Sequence, residues 1–350
     1  MDKIIIFKTD RLGDLINFSP CLKIIKDNNK DYHITLICSD FNFQVAKNYP
    51  YVDEFIILDK KNLLKNIINN FRKLFLTKYK YLFQFDGKGS SYTISYFIKS
   101  KIKSTICFIK HKKIIGINYS SFRPSKYFLK IFYNNFIFCN ENYASNKKDK
   151  TLVHYQSNYF TILEKLNFKI TDKRNLFSLE KSYQNQYDDF YKKFIQKQFC
   201  LFHFDEKWNR LKLADYNNSL KIINRLSKKF DVVVTTGVKN FNFLNDLKKK
   251  FCNINYAQNE FMSEDPVSKN NIFLLEGLPL NLLAYFIKNS QINFSFHSGP
   301  VVHISPTFDR QIVDLIPKSK NDELDRWIPT VSKYRRINFE DLNDEIIENI

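Results

Sequence analysis

Short apolar runs alternate with segments of helical period along most of the chain, and the alternation begins again part-way through. In the first half the strand candidates are residues 3–7, 33–38, 54–58, 81–85 and 105–109, with helical stretches at 20–26 and 62–76 between them. The second of these carries Leu63, Leu64, Ile67, Ile68, Phe71 and Phe75, the three-to-four spacing of a helix face. Strands separated by helices imply βαβ units and a mainly parallel sheet covered on both faces. Helices are expected over 154–166 and 180–198. A second series then follows, with strands at 199–204, 231–235, 272–275, 292–296 and 311–315 and helices near 215–226, 242–250 and 280–288. The pattern predicts an α/β protein of two facing Rossmann-like domains, residues 1–182 and 183–350, with ligands at the carboxyl ends of the strands. The last segment, NFEDLNDEIIENI, is expected to form a short helix that packs back on the first domain.

Composition narrows the class. A chain of 350 residues, 44% hydrophobic and 26% charged, suits a soluble globular protein with room for two cores. No apolar run approaches the roughly 18–20 residues that span a bilayer. The N-terminus lacks the basic, apolar and small-residue regions of a signal peptide, so a cytoplasmic protein is expected. The six cysteines are scattered, with no C-x-x-C; reduced, buried thiols and no zinc site follow. The net charge of +19 admits an anionic partner: nucleic acid, acidic lipid headgroups or a phosphorylated substrate. Its short runs, Lys112-Lys113, Lys147-Lys148 and Lys248-Lys249-Lys250, are spread along the chain and form no single basic arm. Most of the charge therefore reads as solvated surface, with peripheral contact to the anionic inner face of the cytoplasmic membrane kept as an expectation. No RRM, KH or zinc-knuckle pattern points to nucleic acid. No G-x-G-x-x-G follows a strand, which argues against a nicotinamide-linked dehydrogenase.

Two stretches carry chemistry. The first, FKTDRLGDLINFSP (7–20), follows an apolar strand and spends one of only seven glycines directly before Asp14. A glycine there permits positive φ or a close backbone approach. Asp14 reads as a helix cap or as a base aimed into a cleft. Ser19-Pro20 looks like an N-cap with proline at the first helical position, leaving 13–18 as a turn or short helical preface. The second stretch, INFSFHSGPVVHISP (292–306), ends a strand in His297-Ser298-Gly299-Pro300, with His303 a turn further on. Freed backbone N–H groups beside a helix start suit a diphosphate, and the Ser298 hydroxyl adds a donor.

These stretches resemble glycosyltransferase family 9, the heptosyltransferase-like enzymes. KTDRLGDLINFSPCLKIIK and YPYVDEFIILDK (49–60) resemble the family's strand, R-x-G-D turn and P-x-V-D-E strand. FLLEGLPLNLLAYFIKNSQINFSFHSGPVVH (273–303) looks like its second signature, which ends D-[ST]-G-P-x-x-H. HYQSNYFTILEKLNF (154–168) and RWIP near residue 328 sit in the family's order. The resemblance covers nearly the whole chain and implies the two-Rossmann-domain (GT-B) glycosyltransferase fold. It implies metal-independent, inverting sugar transfer, heptose in many members, from a nucleotide-diphosphate donor, ADP-linked first among them. The acceptor it implies is a lipid-linked or lipopolysaccharide-core glycan. No cofactor is implied beyond that co-substrate. Asp14 matches the general base. Ser298 and Gly299 match the donor-phosphate loop, together with His297 and His303. Lys207 resembles the family's donor lysine, and Arg210 and Lys212 lie close by. Arg11, Gly13, Asp86 and Lys88 fall on the acceptor side. His297 stands where the family carries aspartate, which keeps a catalytically degraded, binding-only member as the alternative.

Overall fold

The computed structural model describes residues 1–59, 61–109, 113–114, 117–118, 126–140, 154–204, 216–237, 244–257, 259–263 and 271–349. The chain forms two compact units: Met1–Ser178 with Asp325–Thr330, and Leu179–Leu324 with Val331–Ile350.

The first unit is built on a parallel six-stranded sheet. Its strands are β1 (Lys3–Lys8), β2 (His33–Cys38), β3 (Glu54–Ile57), β4 (Tyr79–Gln84), β5 (Ser100–Ile109) and β8 (Asn135–Asn140), in the order β3-β2-β1-β4-β5-β8. A two-stranded hairpin, β6 (Lys113–Ile114) and β7 (Ile117–Asn118), stands apart from it. β1 is apolar without alternation, Ile4 to Phe7 all fully buried, because helices cover both faces of a parallel sheet. The helices are α1 (Leu12–Phe18), α2 (Pro20–Asn28), α3 (Asp40–Ala46), α4 (Leu63–Asn69), α5 (Gly89–Phe97), α6 (Lys126–Phe132) and α7 (Tyr155–Lys165). The expected 62–76 helix is thus α4 followed by a π-helical turn, Arg72–Leu76. The RWIP segment docks on the start of α7: Trp327 stacks on Tyr155 with ring centroids 3.8 Å apart, and Thr330 N donates to Gln156 Oε1 at 2.7 Å.

Ser19 departs from the expected cap. Its backbone is helical (φ −52°, ψ −32°), so α1 runs into α2. Its hydroxyl donates to the Ile16 carbonyl (2.6 Å) and accepts from Leu176 N (2.7 Å).

The second unit opens with α8 (Ser182–Phe194) and holds an eight-stranded sheet ordered β12-β11-β13-β10-β9-β14-β15-β16. The strands are β9 (Phe199–Phe204), β10 (Asp231–Thr236), β11 (Cys252–Ala257), β12 (Glu260–Ser263), β13 (Ile272–Glu276), β14 (Ile292–Ser295), β15 (Gln311–Ile316) and β16 (Lys333–Asn338). All neighbours are parallel except β11 and β12. The core on one face runs from Phe202 and Phe204 to Phe294 and Phe296. The final helix, Asp344–Glu348, places Ile346 against this same core. This corrects the expectation that the last helix would return to the first domain; the returning segment is Asp325–Thr330.

Candidate active site

In an open parallel sheet, the crevice forms where neighbouring strands send their chains in opposite directions. In the first unit that point lies between β1 and β4, since β1 leads toward β2 and β3 toward β4. Lys8, the last residue of β1, is fully buried there. Its Nζ donates to Asp10 Oδ2 (2.7 Å), the Phe85 carbonyl (2.9 Å) and the Tyr159 hydroxyl (2.9 Å). A buried ammonium survives only when paired and hydrogen-bonded. Burial opposes its charge, but Asp10, Tyr159 and Asp14 more than offset this and hold it protonated. Burial pushes the Asp10 carboxyl above its ordinary value against the pull of Lys8, and the charges of Asp14 and Asp86 push the same way.

Asp14 lies in the first turn of α1 and is half-buried. The cap position belongs to Arg11, whose backbone is extended and whose carbonyl accepts from Leu15 N at 3.1 Å. Asp14 is therefore no N-cap. A carboxylate in a first helical turn is favoured by the free N–H groups there. Gly13 is the second residue of α1 rather than part of a strained turn. Among the described glycines positive φ occurs at Gly277.

Asp86, expected on the acceptor side, is fully buried and wholly engaged. Its Oδ2 accepts from Thr9 N (3.1 Å), Thr9 Oγ1 (2.7 Å) and Ser91 Oγ (2.8 Å), and its Oδ1 from Gln84 Nε2 and Lys88 N (both 3.1 Å). It ties the turn after β4 to the turn after β1. Lys88, half-buried, completes the tie by donating Nζ to the Thr9 carbonyl. Arg11 is exposed.

The second unit's switch point lies between β9 and β14. Parallel register sets Ser295 beside His203 on one side and Asp314 on the other. Asp314, buried in β15, accepts from Ser295 Oγ (2.5 Å), His297 N (2.7 Å) and Tyr334 OH (2.8 Å), and its Oδ2 lies 2.7 Å from His297 Nδ1. Burial works against this carboxylate, yet the His297 imidazole and the two hydroxyls hold it below its ordinary value. An ionised carboxylate only accepts, so His297 Nδ1 is the donor. His297 itself is buried and left-handed, φ +56°, a conformation uncommon outside glycine, in which asparagine, aspartate and histidine are the more frequent exceptions. The strain is held in place by the bonds to Asp314, which turn the chain into the loop.

Beyond that bend, Ser298 is buried and its Oγ finds no partner among the described residues. Gly299 opens the helix Gly299–Ile304, and a Cβ there would meet nothing within 4 Å. His303 is buried in the helix's last turn. Lys207, Arg210 and Lys212 come after β9 in sequence and lie outside the described residues. The structure thus groups Asp14 with Lys8 and Asp10 in one unit, and His297, Ser298, Gly299 and His303 on one loop and helix in the other. The sequence reading missed Lys8, Asp10, Tyr159, Asp314 and Tyr334. A lysine closing the run IIIF and an aspartate inside QIVDLI were the available signals, since a charge within a buried strand must have partners.

No family model matches the chain. A Haemophilus influenzae protein named "Putative glycosyltransferase" is 23% identical over 94% of this chain and 86% of its own length. The crystal structure of a glycosyl transferase family 9 protein from Veillonella parvula matches with a TM-score of 0.67 at 15% identity, covering 97% of this chain and 86% of that one. The chain has the fold of glycosyltransferase family 9. The E. coli heptosyltransferase WaaC with ADP shares it, with a TM-score of 0.62 at 10% identity over 96% of this chain and 93% of that one. The family 9 resemblance read from the two motifs is borne out as a likeness of fold across nearly the entire chain, and the α/β class with it.

Proposed function

We propose that the chain is an inverting glycosyltransferase that moves a sugar from a nucleotide-diphosphate donor to a lipid-linked or core-oligosaccharide acceptor. One observation carries the reading. Asp14, half-buried in the first turn of α1, stands at a topological switch point beside a charged, buried Lys8. Asp14 takes the proton of the acceptor hydroxyl as that oxygen attacks the anomeric carbon from the face opposite the diphosphate. The bond from that carbon to the diphosphate breaks, and the electron pair leaves with the phosphate oxygen. The leaving charge calls for preorganised donors. Ser298 Oγ, buried without a partner among the described residues, and the open space at Gly299 suit that role. Lys207 or Arg210 supplies the cation.

ADP-heptose is the first donor to test, on the likeness to WaaC with ADP. Calorimetry against ADP-, UDP- and GDP-sugars tests the reading; saturable binding of at least one is expected, and binding of none overturns it. The alternative, a member that binds donor without transfer, is motivated by His297 in place of the family's aspartate. It predicts donor binding with no transfer to any acceptor. The His297–Asp314 bond supports the active reading, because it gives this histidine a loop-shaping role.

A further inference from the structure

The basic charge is not evenly spread. Residues 60–140 contain seventeen lysines and arginines against a single acid, the buried Asp86, a net +16 of the chain's +19. This stretch builds α4, the π-helical turn, α5 and α6. All of them pack on one face of the sheet: Leu63 and Ile67, then Tyr92 and Ile94, then Leu129 line the same core.

Their outward side is not polar. Leu64, Ile68 and Phe71, spaced i, i+4 and i+7, are 76%, 67% and 51% exposed. Leu76 continues the ridge at 60%, and Phe97 and Ile131, outward from α5 and α6, are also exposed. Residues three and four apart share a helix face, so the first three form one apolar stripe. Lys61, Lys65, Arg72 and Lys78 flank it, all exposed. An apolar ridge bordered by cations, with no acid between residues 60 and 85, has the composition of a helix that lies in a lipid interface. A second copy of the chain would bring like charge against like charge. Nucleic acid would be met by aliphatic residues more than by stacking rings.

We propose that the outer face of α4 and its π-helical turn docks on an anionic bilayer. Leu64, Ile68, Phe71 and Leu76 enter the headgroup–acyl boundary, and the flanking lysines and Arg72 meet lipid phosphates. The proposal stands independently of the transferase reading.

The test is co-sedimentation of the full chain with phosphatidylethanolamine vesicles with and without phosphatidylglycerol. Binding is expected to need phosphatidylglycerol and to weaken with salt. Leu64→Ser/Ile68→Ser/Phe71→Ser should weaken it about tenfold or more with the melting temperature kept, and Lys61→Gln/Lys65→Gln/Arg72→Gln should weaken it and flatten its salt dependence. Should the serine variant lose its melting transition, Leu64→Trp replaces it: its added fluorescence should be quenched by lipids brominated near the headgroup. Wild-type binding by the folded serine variant, no quenching, or no binding by wild type overturns the proposal. So does a dimer of the wild type that the serine variant splits while vesicle binding stays unchanged.

Discussion

Lys8 Nζ lies 2.7 Å from Asp10 Oδ2, with none of the lysine exposed and with Tyr159 and the Phe85 carbonyl each 2.9 Å away. One buried cation thereby serves two carboxylates, Asp10 and Asp14, while the charges of Asp14 and Asp86 also bear on Asp10. It keeps the amino-terminal site from repelling itself.

Removing that cation should be costly. Lys8→Met leaves a partly buried carboxylate without its counter-charge, and about 3–5 kcal/mol of stability should be lost, read from urea unfolding midpoints. Adding Asp10→Asn should restore part of it, because the uncompensated charge is then gone. An additive double variant contradicts the pairing.

Asp314 makes a prediction about pH. Its folded-state pKa lies below its ordinary value, so its contribution is complete above the unfolded value of about 3.9 and is lost as pH falls through the folded one. Asp314→Asn should cost about 3 kcal/mol near neutrality. The gap in unfolding free energy between it and wild type should stay level above about pH 5 and close below about pH 4. A gap that widens toward acid contradicts the assignment.

Ser298 and Gly299 separate binding from folding. Ser298 Oγ has no partner among the described residues, and a Cβ at Gly299 meets nothing. Ser298→Ala and Gly299→Ala should leave the melting temperature unchanged or slightly raised. Each should weaken nucleotide-sugar binding about fivefold to tenfold, the worth of one lost hydrogen bond or a shifted phosphate. Unchanged affinity in both, by calorimetry, would show that the donor phosphates lie elsewhere.

Much of the fold was legible because strands buried on both faces announce themselves. The strands expected at 33–38 and 199–204 match β2 and β9 residue for residue, both being nearly continuous apolar runs. β11 and β12 escaped notice because Cys252–Ala257 is a half-exposed edge pair of mixed polarity. The cap at Ser19 failed because its hydroxyl is claimed by Leu176, 157 residues away in sequence, a partner no local pattern shows. The sequence motifs singled out the residues of the candidate site but not the groups that support them. Asp14 and Ser298-Gly299 sit on recognisable turns, whereas the positive φ falls on His297, not on the glycine two residues on, and is set by Asp314 on another strand. Such strain depends on tertiary bonds.

The most direct measurement compares sugar transfer by wild type and Asp14→Asn, using the donor that calorimetry identifies and a lipid-linked or core-glycan acceptor. A general base accounts for about 10²–10⁴ in rate, so kcat should fall by that factor while donor affinity stays within about twofold. Turnover by Asp14→Asn at the wild-type rate would contradict the assignment of the base and, with it, the proposed mechanism.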